Sequence, residues 1–307
     1  MDDLEVRELR YFLAVADELN FTRAAQRLGI AQPPLSKAIR AIEHRLGVQL
    51  FTRSTRKVEL TEAGRVLAEH ARPVLLGVAA AVARTRRAAA ADPALLVAIK
   101  PGTGGDLLRD IICRYSLDPG LPPAEVVIGG WAEQAQMVRD GRADVALIGG
   151  PFCAVGLDIE PLHSEPRMAA LSARHRLANR TGLLRSDLDG EAIPLWPDAE
   201  PDSDLARYWS GTDRHPDIKT KPGPVITDMT QLLEVVAFGQ GVAFLPASVR
   251  DAYPDRGVVF VPVADLSPAT LYLGWAQSSS SRAVAAFVRA AQDVTADEDV
   301  LVEAVRS

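Results

Sequence analysis

Cysteine is nearly absent: Cys113 and Cys153 stand alone in 307 residues. There is no C-x-x-C and no neighbouring histidine, so neither a disulfide framework nor a zinc site is suggested, and both thiols are expected to be reduced and partly buried. The five histidines, at 44, 70, 163, 175 and 215, are scattered without metal or triad spacing. Neither a metal nor a cofactor is therefore expected. No uninterrupted run approaches the roughly 18 apolar residues of a membrane-crossing helix. The opening MDDLEVRELRYF has acids where a secretory signal has bases, which together give the expectation of a cytoplasmic protein with no membrane partner. Catalytic signatures are missing too. KPGTGGD follows a strand pattern but lacks the lysine of G-x-x-x-x-G-K-[ST] and does not complete G-x-G-x-x-G; no G-x-S-x-G elbow occurs. An enzyme is thus the alternative reading, with no motif behind it.

What is present is ordinary globular material, 48% hydrophobic and 24% charged, long enough for two to three domains. The net charge of -6 would argue against a nucleic-acid partner. Its distribution argues the other way. Residues 22 to 57 hold Arg23, Arg27, Lys37, Arg40, Arg45, Arg53, Arg56 and Lys57 against the single acid Glu43, a basic island in an acidic chain.

Around that island the periodicity predicts three short helices and a hairpin over residues 1 to 60. Leu9, Phe12, Leu13 and Ala16 make one helical stripe. A second helix is expected to start at Thr22 as its N-cap and to stop at Gly29, with Ala24, Ala25 and Leu28 packing closely. In the third, Leu35, Ile39, Ile42 and Leu46 form the buried stripe, leaving Ser36, Lys37, Arg40 and His44 on the other face. Two consecutive prolines open this helix. First-turn N–H groups have no internal partner, so proline costs little there; Pro33 is placed near the cap and Pro34 near the first helical position. VQLFTRSTRKVELT then reads as a β-hairpin wing with a basic tip.

Two helices joined by a short turn, the second basic and hydroxylic on its free face, form the helix-turn-helix pattern that enters a DNA major groove. Gln32, Ser36, Lys37 and Arg40 would reach base edges or phosphates, and the Pro33-Pro34 tip would meet thymine methyl groups. Thr22, Arg23, Arg53 and Arg56 would hold the sugar-phosphate backbone.

Beyond the wing, residues 61 to 91 read as a linker helix. Leu67, Ala71, Val74, Val78, Ala81 and Thr85 lie near heptad spacing as a dimerising seam, and Pro73 predicts a kink or break. From Asp92-Pro93 onward, strand and helix patterns alternate, which predicts a parallel sheet covered by helices. AIPLW, LARYW, MTQLLEVVAFGQG and VAFLPAS make a second round. Residues 92 to 307 are accordingly read as two α/β lobes, lobe I at 92–163 and 268–307 and lobe II at 164–267.

The stretch from ELRYFLAVADELNFTRAAQRLG through IAQPPLSKAIRAIEHRLGVQLFTRSTRKVELTEAG closely resembles the N-terminal winged helix-turn-helix of LysR-type transcriptional regulators. DGRADVALIGGP, RHRLANR and VVAFGQGVAFLP continue the resemblance in order along nearly the whole chain. IAQPPLS is similar to the turn common among regulators of aromatic-compound degradation. The resemblance implies an all-α winged helix-turn-helix with a linker helix and a periplasmic-binding-protein-like C-terminal domain. It also implies a homodimer or homotetramer on an interrupted palindrome in double-stranded DNA, and a small-molecule effector between the lobes.

In such a domain ligands sit at strand C-termini, where helix N-termini offer free N–H groups. The corresponding residues are Gly102, Thr103, Gly130, Trp131, Gly149, Asp202, Ser203, Thr227, Asp228 and Met229. By the resemblance, Gly102 and Thr103 match the first binding turn, Trp131 the second, and Thr227 to Met229 the interlobe segment. Relatives that sense dicarboxylates often carry an arginine where this chain has Gly149, and Asp202 and Asp228 add negative charge, which disfavours a dianion. Two readings of Trp131 stand open, an aromatic platform for ligand or a cap on the core. Thr227 and Asp228 are either a helix cap or ligand contacts. A metabolite-binding protein with a vestigial DNA-binding part is the third functional reading.

Overall fold

The computed structural model describes residues 4–53, 57–89, 93–102, 104–197, 200, 202–254 and 257–306. It divides into two compact units, residues 1–86 with 139–141, and the remainder.

In the first unit, α1 (Val6–Glu18), α2 (Phe21–Arg27) and α3 (Gln32–Leu46) precede the strands β1 (Phe51–Arg53) and β2 (Val58–Leu60). α4 (Glu62–Ala88) follows. Leu9, Phe12, Leu13 and Ala16 are buried from α1, Ala24 and Ala25 from α2, and Leu35, Ile39 and Ile42 from α3, so one apolar stripe per helix makes this core. β1 and β2 pair antiparallel, Phe51 opposite Leu60, and Phe51 returns to the core with its ring 5.4 Å from that of Phe12.

Two local expectations are corrected in this unit. Asn20, not Thr22, caps α2: its Oδ1 accepts the N–H groups of Thr22 and Arg23 at 2.9 and 3.1 Å. An asparagine side chain reaches the second and third helical amides, whereas Thr22 already lies inside the helix. α3 starts at Gln32 with Ala31 as its cap, so Pro33 and Pro34 fall inside the first turn, two residues deeper than expected. The amides they remove still have no internal partner at that depth.

α4 runs continuously across Pro73, with no break. Part of its predicted seam is spent locally, because Leu67 and Ala71 pack into the first unit's core; Val74 and Val82 remain exposed. With so much alanine and valine, Glu62–Arg87 is long and apolar enough to cross a membrane by length and composition. Counting only uninterrupted apolar runs passes over such a helix.

The second unit opens with β3 (Leu95–Ile99), α5 (Gly105–Tyr115), β4 (Ala124–Ile128), α6 (Gln134–Arg139), β5 (Val145–Gly149) and β6 (Leu157–Glu165). It continues with β7 (Arg167–Ser172), β8 (Ala192–Leu195), α7 (Asp204–Ser210), β9 (Lys221–Val225), α8 (Met229–Ala237) and β10 (Ala243–Pro246). α9 (Ser248–Ala252), β11 (Val258–Pro262), β12 (Ala269–Ala276) and α10 (Arg282–Arg306) complete it.

One sheet has the order β4-β3-β5-β12-β6, and a second has β10-β7-β11 beside the pair β8-β9. β3 is parallel to β4 and β5, but β12 runs antiparallel to both β5 and β6, so the first sheet is mixed rather than parallel. The chain changes sheets between Glu165 and Arg167 and again between Pro262 and Ala269. Period-two alternation puts Leu95, Val97 and Ile99 into one core layer and Ala98 into the other. Cys113 and Cys153 are both exposed, contrary to the expected partial burial; Cys113 lies on the outer face of amphipathic α5.

Candidate functional site

The free face of α3 carries the polar residues in a defined arrangement. Gln32, Pro33, Pro34, Lys37 and Arg40 are exposed and Ser36 is half-buried. Gln32 Nε2 donates to Ser36 Oγ at 3.0 Å, which holds two hydrogen-bonding side chains one turn apart on the same face.

The basic island separates into two classes. Arg23 is bound to Glu18, Arg27 to Asp17 and Glu18, Arg45 to Glu8, Arg53 to Glu43 and Lys57 to Glu59. Lys37 and Arg40 have no acidic or hydrogen-bonding partner among the described residues. A phosphate approaching them displaces only water. Arg56 lies outside the described residues. Arg53, expected on the DNA backbone, is instead turned inward: its guanidinium carbon sits 4.9 Å from the Phe21 ring centre, and Nη2 is 2.7 Å from buried Glu43. Thr22 is exposed in the first turn of α2, with its N–H spent on the Asn20 cap.

In the second unit, the turns at the ends of β3, β4 and β5 meet α7 and α8 around two adjoining cavities of about 90 and 240 Å³. Lys100, Trp131 and Met229 line both. Gly149 and Gly150 reach the smaller; Gly130, Thr227 and Asp228 reach the larger. Gly102 has φ +85 and faces the Tyr253 hydroxyl so closely that an added Cβ would lie 2.7 Å from it; its turn borders a different pocket, with Asp106, Arg109 and His163. Thr103 lies outside the described residues.

Several expected ligand contacts have structural employment. Ser203 Oγ accepts the Ala206 N–H at 3.2 Å as the cap of α7, and Asp202 adopts a left-handed conformation just before it. Neither lines either cavity. Asp228 Oδ1 accepts the Gln231 N–H at 2.9 Å while Gln231 Oε1 accepts the Thr227 N–H at 2.9 Å, a reciprocal cap on α8. Gly130 does not offer a free amide, since its N–H donates to Glu133 Oε2 at 2.8 Å.

Trp131 lies in a turn before α6, not in the helix, and its ring reaches across to the core beneath the second sheet. It stacks on Trp196 at 3.9 Å with 2° between planes, and Trp209 meets both edge-on. α7, which carries Trp209 and Tyr208, is pinned by two buried arginines. Arg167 Nη1 donates to the Tyr208 carbonyl, and Arg185 Nε donates to the Ser210 carbonyl at 3.1 Å. Burial lowers both guanidinium pKa values from their ordinary range, and nearby acids oppose that shift.

Sequence reasoning missed Lys100, which ends β3. Its ammonium lies 4.5 Å from the Trp131 ring centre and 5.8 Å from that of Trp196, and burial lowers its pKa to about 8. The available signal was positional: a lysine directly after the apolar strand LLVAI occupies the strand end where α/β domains bind ligands.

A helix-turn-helix with a basic free face, joined to a two-sheet domain with a cavity at its strand ends, defines a ligand-responsive DNA-binding protein. Residues 6–65 match the family of bacterial regulatory helix-turn-helix proteins of the lysR family, and residues 94–296 match the LysR substrate binding domain. The chain belongs to the LysR family of transcriptional regulators. It is 30% identical over 296 residues to the Hca operon transcriptional activator HcaR of Escherichia coli, covering 94% of this chain and 98% of that one. It is 31% identical over 265 residues to the regulator BenM of Acinetobacter baylyi, covering 85% and 86%. The crystal structure of full-length BenM superposes with a TM-score of 0.56 at 27% identity over 96% of this chain and 98% of that one. Full-length CbnR complexed with its target DNA gives 0.51 at 26% identity, covering 95% and 100%. These relatives are regulators matched across both parts of the chain, so the enzyme reading falls and the DNA-binding part is not a vestige.

Proposed function

We propose that α3 is the recognition helix and that Lys37 and Arg40 supply its phosphate or base contacts, with Gln32 and Ser36 reading base edges behind the rigid Pro33-Pro34 tip. The observation that carries this is the absence of any partner for Lys37 and Arg40 among the described residues, in a basic island whose other described cations are paired. Thr22, Arg23 and Arg56 would flank the backbone. Residues 1–60 would form the DNA-binding part, 61–91 the linker and 92–307 the effector domain. The protein works in the cytoplasm as a homodimer or homotetramer joined through α4, placing paired recognition helices on an interrupted palindrome.

The effector would enter the paired cavities beside Lys100, Gly130, Trp131, Gly149 and Met229, with Gly102 and Thr103 at the neighbouring turn. A ligand that binds one arrangement of the lobes better than another shifts the regulator between states. Gel retardation on the DNA upstream of its neighbouring genes, with wild type and Lys37→Ala/Arg40→Ala, tests the first part. Unchanged affinity and salt dependence in the double variant would refute it.

A further inference from the structure

The wall of the larger cavity holds a cation without an acceptor among the described residues. Lys100 is half-buried, and among the described residues neither a carboxylate nor a carbonyl oxygen takes its ammonium protons. Trp196 beside it is only 5% exposed, and its buried Nε1, which has no accessible surface, has no hydrogen-bond partner among the described residues. Trp209, packed against it, shows the usual alternative, with Nε1 donating to the Pro194 carbonyl at 3.0 Å. Buried donors left unpaired carry a desolvation cost that a matching acceptor removes.

We infer that this cavity binds a small acid with one negative charge and a flat apolar body, its carboxylate paired with Lys100 Nζ. The inference rests on the proposed effector cleft and deepens it. Lys100 Nζ lies 5.8 Å from the Trp196 ring centre.

Charge count sets the valence. Among the described residues, Lys100 and Asp228 are the only ionised groups lining the two cavities, and both Asp228 oxygens face partners in the α8 cap, Gln231 N–H at 2.9 Å and the Thr227 hydroxyl at 3.5 Å. A first carboxylate finds a cation; a second would face Asp228. Size and lining set the body. The larger chamber, at about 240 Å³, exceeds the roughly 150 Å³ that accommodates benzene, and Trp131, Met229 and Tyr253 wall it with flat or adaptable apolar surface.

Intrinsic tryptophan fluorescence of the full chain provides the titration, because three of its four tryptophans form this cluster. The probes are benzoate, phthalate, benzamide and benzylamine, each also titrated into Lys100→Met and Trp196→Phe, with circular dichroism confirming the fold of both. Benzoate is expected to bind at least tenfold tighter than the other three. Lys100→Met should remove that preference, and Trp196→Phe, which keeps the ring, should leave it in place. Hydrogen–deuterium exchange separates this inference from the reading beneath it. Protection by benzoate at the end of β3 and the start of α8, without charge preference or without loss in Lys100→Met, overturns the inference alone. Charge-selective binding with protection elsewhere overturns the cleft reading as well. If none of the four probes binds, the inference fails, while another compound protecting those segments would retain the cleft.

Discussion

Glu43 and Arg53 form an ion pair across the DNA-binding unit, Nη2 to Oε2 at 2.7 Å, with the Glu43 side chain 5% and the Arg53 side chain 27% exposed. Glu43 Oε1 also accepts the N–H groups of Leu50 and Phe51 at 3.0 and 3.2 Å. The one acid of the basic island therefore fastens the wing to α3. Removing Arg53 leaves a buried carboxylate short of its cation, at a cost of about 3 kcal/mol. Arg53→Ala should thus lower the urea midpoint of the DNA-binding unit and leave the salt dependence of DNA binding unchanged. A flattened salt dependence with normal stability would place Arg53 on phosphate after all.

Lys37 and Arg40 give the opposite pattern. Both are exposed on α3, so replacement by alanine should change stability by less than about 0.5 kcal/mol. Each lost phosphate contact should reduce the slope of log affinity against log salt by about 0.9 per half-site. Fluorescence anisotropy at several salt concentrations reads that slope. If one of the two makes a base contact, its variant will instead lose affinity mainly for the specific site.

Asn20 is expected to matter more than the neighbouring threonine. Asn20→Ala removes the acceptor for two first-turn amides and should cost about 1 kcal/mol, read as faster amide exchange through α2. Thr22→Ala leaves that cap intact. Equal effects from the two substitutions would contradict the assignment.

Where the sequence was informative, local periodicity coincided with burial. Leu9, Phe12 and Leu13 on α1 and Leu35, Ile39 and Ile42 on α3 are legible because each stripe faces one core. The recognition face was legible for the same reason, as the remainder of α3. Which cations on it are available was not, because their acids, Asp17, Glu18 and Glu8, come from α1. The antiparallel placement of β12 was hidden too: alternating strands and helices suggest parallel pairing, and only the chain's return from the second sheet reverses it. In the cleft, Gly149 and Trp131 were legible as strand-end positions. The Trp131–Trp196 stack was not, since its partners are 65 residues apart and follow strands of different sheets.

Exposed Val74 and Val82 give α4 an apolar surface beyond the part buried in the first unit's core. Val74→Glu/Val82→Glu should convert the assembly to monomers in analytical ultracentrifugation, since charges at a buried helix seam are costly. Unchanged sedimentation would move the interface elsewhere.

Lys100 predicts opposite pH dependences for folding and for binding. Its pKa in the folded chain is lowered to about 8 by burial, whereas an unfolded lysine titrates near 10.4. Between those values the unfolded chain holds more protons, so Lys100 makes the ligand-free protein gain stability as pH rises from about 8 toward 10. Carboxylate binding needs the protonated form and raises that pKa, so benzoate affinity should be flat from about pH 6 to 7.5 and fall by up to tenfold per unit above about pH 8. Among the described residues, the other titratable groups lining the two cavities are Tyr208 from α7, Asp228 capping α8, and Tyr253 following α9. Burial raises the Tyr208 pKa, which keeps it neutral through this window. Lys100→Met should flatten the alkaline limb of the affinity profile; if the limb persists in that variant, another group controls it.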